Sequence, residues 1–395
     1  MANNGALAGL KILDFTTLYP GPLATMLLAD LGAEVIRIEA PDRPDLLRFA
    51  PPLESDGGSG LYRMVNRNKR SMVVDLKKEG AADLIKQLAA TADVVIEQFR
   101  PGVMDRLGIG WSVLREVNDK LIYCAISSFG QTGPYASRPG HDINFVALSG
   151  LSHHLGRPDS GPVPINALIG DVAGGTWGAV GGILAAVIAR GRTGKGQMVD
   201  ISMTDGALLM NAMAAMMALT GGEDLNAGDG WLNGGGAYDY YRTSDDRYLS
   251  VGALEPKFFM AFTQAIGKPE LAGAFALVGP PAEPVKAEIA EAIATKSLAE
   301  WTAIFESIKC CVEPVLSPTE AMESELFAVR GMVVDVQRPD GEVSRQVGNP
   351  IKLSANPPSY RHIAHDPGAD TDDVLNQLGL DDDGIAALRA AKVVK

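Results

Sequence analysis

The chain has 395 residues, a formal net charge of −13, 46% hydrophobic residues and 21% charged ones. That length exceeds one ordinary core and predicts two domains, or one large domain with an insertion, of soluble globular composition. The acidic balance argues against nucleic-acid binding and against docking on an anionic membrane, so any anionic ligand must be held by a local basic patch.

Lys11–Phe15 reads as a buried strand, Pro20-Gly-Pro22 as a break, and Leu23–Leu31 as a helix capped by Gly32. Ala33–Ile38 is a second strand, so strand, helix and strand form a βαβ unit and the sheet is expected to be parallel. The alternation continues with a strand at 71–75, a helix at 80–90, and strands at 93–97 and 121–126. This half is expected to be a doubly wound α/β domain. A Gly- and Ala-rich helix follows over 172–190, then a tight connection at 191–196. That turn is not a phosphate loop, because Lys195 is followed by Gly196 rather than Ser or Thr. A strand at 198–201 leads to a Met-rich helix at 204–219, read as core or subunit interface.

Composition shifts near residue 220, and the polar segment 221–236 reads as a linker. Residues 238–252 carry Tyr238, Tyr240, Tyr241 and Tyr248 in an alternating pattern, as in a hairpin, and helices are expected at 256–266, 283–294 and 298–307. A strand at 331–336 and two helical stretches close the chain. The expected organisation is a large α/β domain from 1–224 and 326–395, with a smaller α+β domain from 225–325.

The three cysteines, Cys124, Cys310 and Cys311, show no disulfide spacing and suggest a reducing compartment. No Cys-x-x-Cys or His-x-x-x-His occurs, which argues against a structural zinc site; no metal is expected. The N-terminus lacks the blocks of a signal peptide, and the apolar run at 178–189 is shorter than the ~20 residues of a membrane span. A cytoplasmic enzyme is therefore expected.

No Gly-x-Gly-x-x-Gly follows the first strand and no Gly-x-Ser-x-Gly occurs, which removes the main support for a nicotinamide enzyme and for a serine hydrolase. Arg63, Arg67, Lys69 and Arg70 could form a phosphate-binding loop, or an exposed basic turn. Glu97–Gly102 lies at the carboxyl end of a predicted strand, where α/β sheets bind ligands. There Phe99 could stack on a base while Arg100 or Arg106 reached phosphate; a plain strand-to-helix turn would explain Pro101-Gly102 equally well. His141 in Gly140–Phe145 is one of only five histidines; it is either a satisfied structural residue or a proton carrier. Asp171 is either a helix cap or a second proton carrier, and the two roles are compatible. Glu255 reads as a residue just ahead of a helix.

Several segments together resemble the class III coenzyme A-transferase family, whose members include formyl-CoA transferases and 2-methylacyl-CoA racemases. They are Leu13-Asp-Phe15 with Pro20-Gly-Pro22, Asp30–Glu39, Asn66–Ser71, Ala92–Gly102, Phe129–Pro134 and Arg192–Gln197, spread over nearly the whole chain. Gly140–Phe145 is similar to the racemase motif with its catalytic histidine, and Asp171 matches an aspartate shared by racemases and transferases. Gly234–Tyr238 and Val251–Pro256 resemble the racemase small domain, which would pair Glu255 with His141. Two places depart from that branch: the 380–394 tail is more like transferase members, and Ala40 stands where many members carry a CoA-contacting arginine.

The resemblance implies an interlocked homodimer acting on an acyl-CoA, with no cofactor beyond the coenzyme A of its substrate. CoA would meet Asn68, Lys69, Arg70, Glu97, Gln98, Phe99, Arg106, Gly140, Asp142, Ile143, Asn144 and Phe145, and the acyl group would reach a cleft at His141 and Asp171. The implied reaction is racemisation of 2-methylacyl-CoA, with His141 and Asp171 exchanging the α-proton and Glu255 orienting the imidazole. The alternative is CoA transfer, in which Asp171 forms an acyl anhydride and then a CoA thioester. A third reading is a CoA-binding homologue without catalysis.

Overall fold

The structure, a computed structural model, describes residues 5–395. It divides into two compact units: residues 5–145, 167–207 and 325–395, and residues 146–166 with 208–324. Residues 146–166 and 208–224, expected in the larger domain, thus cluster with the smaller unit.

The first unit is built on six strands: β1 (Lys11–Asp14), β2 (Glu34–Glu39), β3 (Arg70–Val73), β4 (Val94–Glu97), β5 (Ile122–Ser127) and β6 (Met198–Ser202). All pair in parallel, in the order β3-β2-β1-β4-β5-β6. The strands are apolar runs because both sheet faces are covered, as parallel sheets require. Successive residues feed opposite cores. Leu13, Ile36 and Val95 pack with Leu84, Ile85 and Leu88 of helix Ala81–Ala90 and with Val374, Leu375 and Ile385 of the C-terminal helices. Ile12, Val35 and Ile96 pack with Leu27 and Leu28 of helix Pro20–Asp30 and with Ala179, Val180 and Ile183 of helix Trp177–Thr193. The N- and C-terminal segments therefore share one sheet.

β1 pairs with both β2 and β4, so the chain winds outward to β3 and returns to β4 on the other side. The crevice beyond β1 and β4 is the switch point at which such sheets bind ligands.

Three elements differ from the sequence reading. The first helix begins at Pro20 rather than Leu23, because proline suits a first helical position whose N–H has no partner to lose. The helix expected from 172 begins at Ile169 as a π-helix to Thr176 and continues as an α-helix to Thr193. At 25 residues it is longer than the apolar run suggested, and its Ala179, Val180, Ile183 and Ala186 are buried against the sheet. The helix expected over 204–219 is two, Met203–Met210 and Ala212–Gly221, interrupted at buried Asn211, whose amide binds Ser149 O and His154 Nε2.

The second unit holds the expected hairpin as β7 (Asp239–Arg242) and β8 (Tyr248–Val251), joined antiparallel by a short β9 (Val312–Pro314). Helices Pro256–Ala265, Glu283–Ile293 and Leu298–Phe305 bring Phe259, Phe262, Ile289, Trp301 and Phe305 into its core. In the first unit, β10 (Val333–Gln337) pairs antiparallel with β11 (Val343–Val347), which the sequence did not announce.

Candidate active site

The carboxyl ends of β1, β4 and β5 open into a cleft of about 660 Å³. Leu18 and Pro20 from the turn after β1, Gln98 to Pro101 after β4, and Ser127 and Ser128 at the end of β5 form part of its wall. Gln98 fixes two of these segments to each other. Its Oε1 accepts the Gly21 N–H at 3.0 Å, and its Nε2 donates to Thr17 O at 3.0 Å. The amide thereby satisfies the otherwise unpaired first turn of a helix.

His141 and Asp171 line the same cleft. His141 precedes helix Asp142–Leu148: its backbone N–H donates to Asn144 Oδ1 at 3.0 Å and its carbonyl accepts from Asn144 N at 2.8 Å. The backbone is thus held while the exposed imidazole has no hydrogen bond among the described residues. A structural histidine satisfied by Asp142 or by the backbone, the competing reading of the sequence, is not what is found. Asp171 is half-buried in the first turn of the π-helix, a type of distortion often found at functional sites. Burial, then the neighbouring Asp142, pushes its carboxyl up to about 6, with His141 opposing. Tyr19 is also electrostatically close: burial and the Asp171 charge both raise its phenol.

Gly140, Asn144 and Phe145 line the cleft as well. Asp142 is instead buried, and Ile143 is exposed. Glu97 is buried too; its carboxyl accepts the Phe99 N–H at 2.7 Å, bonds with the Tyr123 phenol, and is pushed by burial up to about 8. It shapes the Gln98–Phe99 turn from beneath. Arg106 is exposed and stands outside the cleft lining. Glu255 belongs to the second unit, where it precedes helix Pro256–Ala265 and its carbonyl accepts from Phe258 N and Phe259 N.

The basic loop is paired and largely buried rather than an exposed turn. Arg63 pairs with Glu54 and Asp56, Arg67 with Asp30 at 2.7 Å, Lys69 with Asp14 at 3.2 Å, and Arg70 with Glu34 at 2.9 Å. Lys69 is only 2% exposed, and Asn68 donates to Asp30 Oδ1 and Ser359 O. Arg67 also reaches Val347 O. The loop clamps the C-terminal segment onto the sheet, and its charges are spent on that.

The cations that do face the cleft are Arg100 and Arg138, neither with an acidic partner among the described residues. The Arg138 guanidinium lies 3.7 Å from the Tyr135 ring centroid. Arg138 was not singled out in the sequence; the signal was a cation beside Pro139 in the turn leading to Gly140-His141.

Residues 7–372 match the model of CoA-transferase family III. The chain is 34% identical to human alpha-methylacyl-CoA racemase over 99% of its own length and 98% of that protein's. It is also 34% identical to the acetyl-CoA:oxalate CoA-transferase of Acetobacter aceti, over 89% of this chain and 90% of that one. A CAIB/BAIF family protein from Brucella suis superimposes with a TM-score of 0.83 at 29% identity, covering 95% of this chain and all of that one. The fold, the order of its motifs and these likenesses agree: the chain belongs to CoA-transferase family III.

Proposed function

We propose that the protein is a 2-methylacyl-CoA racemase, interconverting R and S thioesters by removing and returning the α-proton. The observation that carries this reading is a His141 imidazole without a hydrogen bond among the described residues and an Asp171 carboxyl raised to about 6, on one cleft. An α-carbon acid next to a thioester is weak, so it needs a base on one face, an acid on the other and a stabilised enolate between them. His141 takes the proton from one enantiomer while Asp171 gives one to the opposite face, and the roles exchange in the reverse direction. In each direction one member of the pair must start with a proton and the other without. Arg100 and Arg138 are the cations this cleft offers to the anionic part of CoA.

The proposal includes a homodimer and assigns Glu255 the orientation of His141. Large apolar side chains left exposed on Met203–Met210 and Ala212–Gly221 support self-association. Three free cysteines support action in the reducing cytoplasm.

The test is to incubate one enantiomer of a 2-methylacyl-CoA in deuterated water and follow deuterium entry and inversion together. His141→Ala and Asp171→Ala should each lower both rates by 10²-fold or more. Unchanged exchange in the two variants would falsify the assignment. CoA transfer, the activity named for several relatives, would use ionised Asp171 as a nucleophile. Hydroxylamine trapping at Asp171 only in the presence of an acyl-CoA donor would favour it.

A further inference from the structure

Asp142 follows His141 in the chain yet does not line the cleft. It is 8% exposed and has no cationic partner among the described residues. Its Oδ1 accepts the backbone N–H of Asp171 at 2.9 Å. The approach is close enough to dictate the intervening residue: a Cβ on Gly170 would stand 3.2 Å from Asp142 Oδ1 and 2.9 Å from Phe145 Cβ. A buried carboxyl group is thus hydrogen-bonded to the main chain of a second carboxyl group, at an N–H in the first turn of helix Ile169–Thr176.

We propose that Asp142 is a positioning residue that tunes the proton exchange between Asp171 and His141 while fixing the backbone of Asp171. The idea rests on the racemase reading for its purpose but not for its physics. Proton transfer in both directions is fastest when donor and acceptor hold protons about equally. An ordinary aspartate falls about 2.5 units short of an ordinary imidazole, so the tautomer with the proton on aspartate would be about 300-fold disfavoured. Asp171 escapes this through burial and the negative field of Asp142, against the opposing field of His141. The other groups around it are the Tyr19 phenol, whose titration Asp171 influences, and the cleft cations Arg100 and Arg138. With Asp142 neutralised, its raising field is lost while that of His141 remains, and Asp171 releases its proton more readily.

The discriminating variant is Asp142→Asn, which keeps the shape and an oxygen to accept the Asp171 N–H but removes the charge. The full-length protein, with ¹³C-labelled aspartate carboxyls, is titrated by NMR; the Asp171 signal is identified by its loss in Asp171→Asn. The signal should titrate near 6 in the parent and roughly half to one unit lower in Asp142→Asn. The pH profile of deuterium exchange should move with it, with exchange at pH 7 falling about 3- to 10-fold and KM unchanged. A merely structural role would leave both titrations in place, and identical Asp171 titrations in parent and Asp142→Asn overturn the proposal. Asp142→Ala, which also frees the N–H, should add a loss of thermal stability absent from Asp142→Asn. The NMR result stands apart from catalysis: if exchange fails altogether, the racemase reading falls while the carboxyl titration still decides the part of Asp142.

Discussion

A single carboxyl shows the conflict between stability and chemistry at this site. Asp171 has its pKa raised from 3.8 to about 6, first by burial and then by Asp142. The native state therefore binds this proton more tightly than the unfolded chain does. Its contribution to stability is present below pH 4 and is lost as pH rises towards 6. Asp171→Asn removes that cost. It should raise unfolding free energy by about 1–2 kcal/mol at pH 7.5, a figure discounted for partial exposure, and change little at pH 4. Urea denaturation at the two pH values checks this; equal effects at both would contradict it. Burial also works against the Lys69 charge, lowering its pKa from 10.5 to about 8. Its buried ammonium answers Asp14 at 3.2 Å, with Pro22 O and Asn66 Oδ1 as further acceptors. Lys69→Ala should cost about 3–5 kcal/mol of stability by stranding a buried charge. If instead it raised KM alone, Lys69 would be a ligand contact after all. The sequence displayed the cations of this loop but not their partners: Asp14, Asp30 and Glu34 come from elsewhere in the chain, and only folding shows that the charges are already neutralised.

At the scale of elements, the βαβ alternation was readable because each buried strand is a short apolar run bounded by turn residues. Strand order was not, since nothing local records that β1 separates β2 from β4. β9 was missed because three residues carry no period. The π-helix was not legible in the sequence; a Cβ on Gly206 would lie 2.1 Å from Gly174 Cα within it, so two backbones touch there. Gly206→Ala should therefore cost about 1–3 kcal/mol and lower exchange by shifting the turn that carries Asp171. Thermal unfolding and the deuterium assay test it together, and an unperturbed variant would show that the contact is dispensable. His141 and Asp171 were legible as candidates from residue type and turn context, and their common cleft supplied what spacing could not. Arg138 lay in plain view but has no periodic signature.

For the whole molecule, surface composition makes its own demand. Leu208, Leu209, Met210, Met213, Met216, Met217 and Leu219 are all exposed on two successive helices, Leu219 to 78%. A chain with a net charge of −13 resists casual aggregation, so such a face persists only if something specific covers it. A second copy is the occupant consistent with the proposed homodimer. The protein should sediment at twice its protomer mass of 41.6 kDa. Leu209→Glu with Met213→Glu should yield monomers by placing carboxylates in an apolar contact. If the site needs the second copy, exchange should fall with dimer content and recover at high protein concentration; a monomeric variant with full activity would detach assembly from catalysis. The sequence marked this stretch as core or interface without choosing between them. The choice required solvent exposure, which is a property of the folded chain and not of its apolar residues.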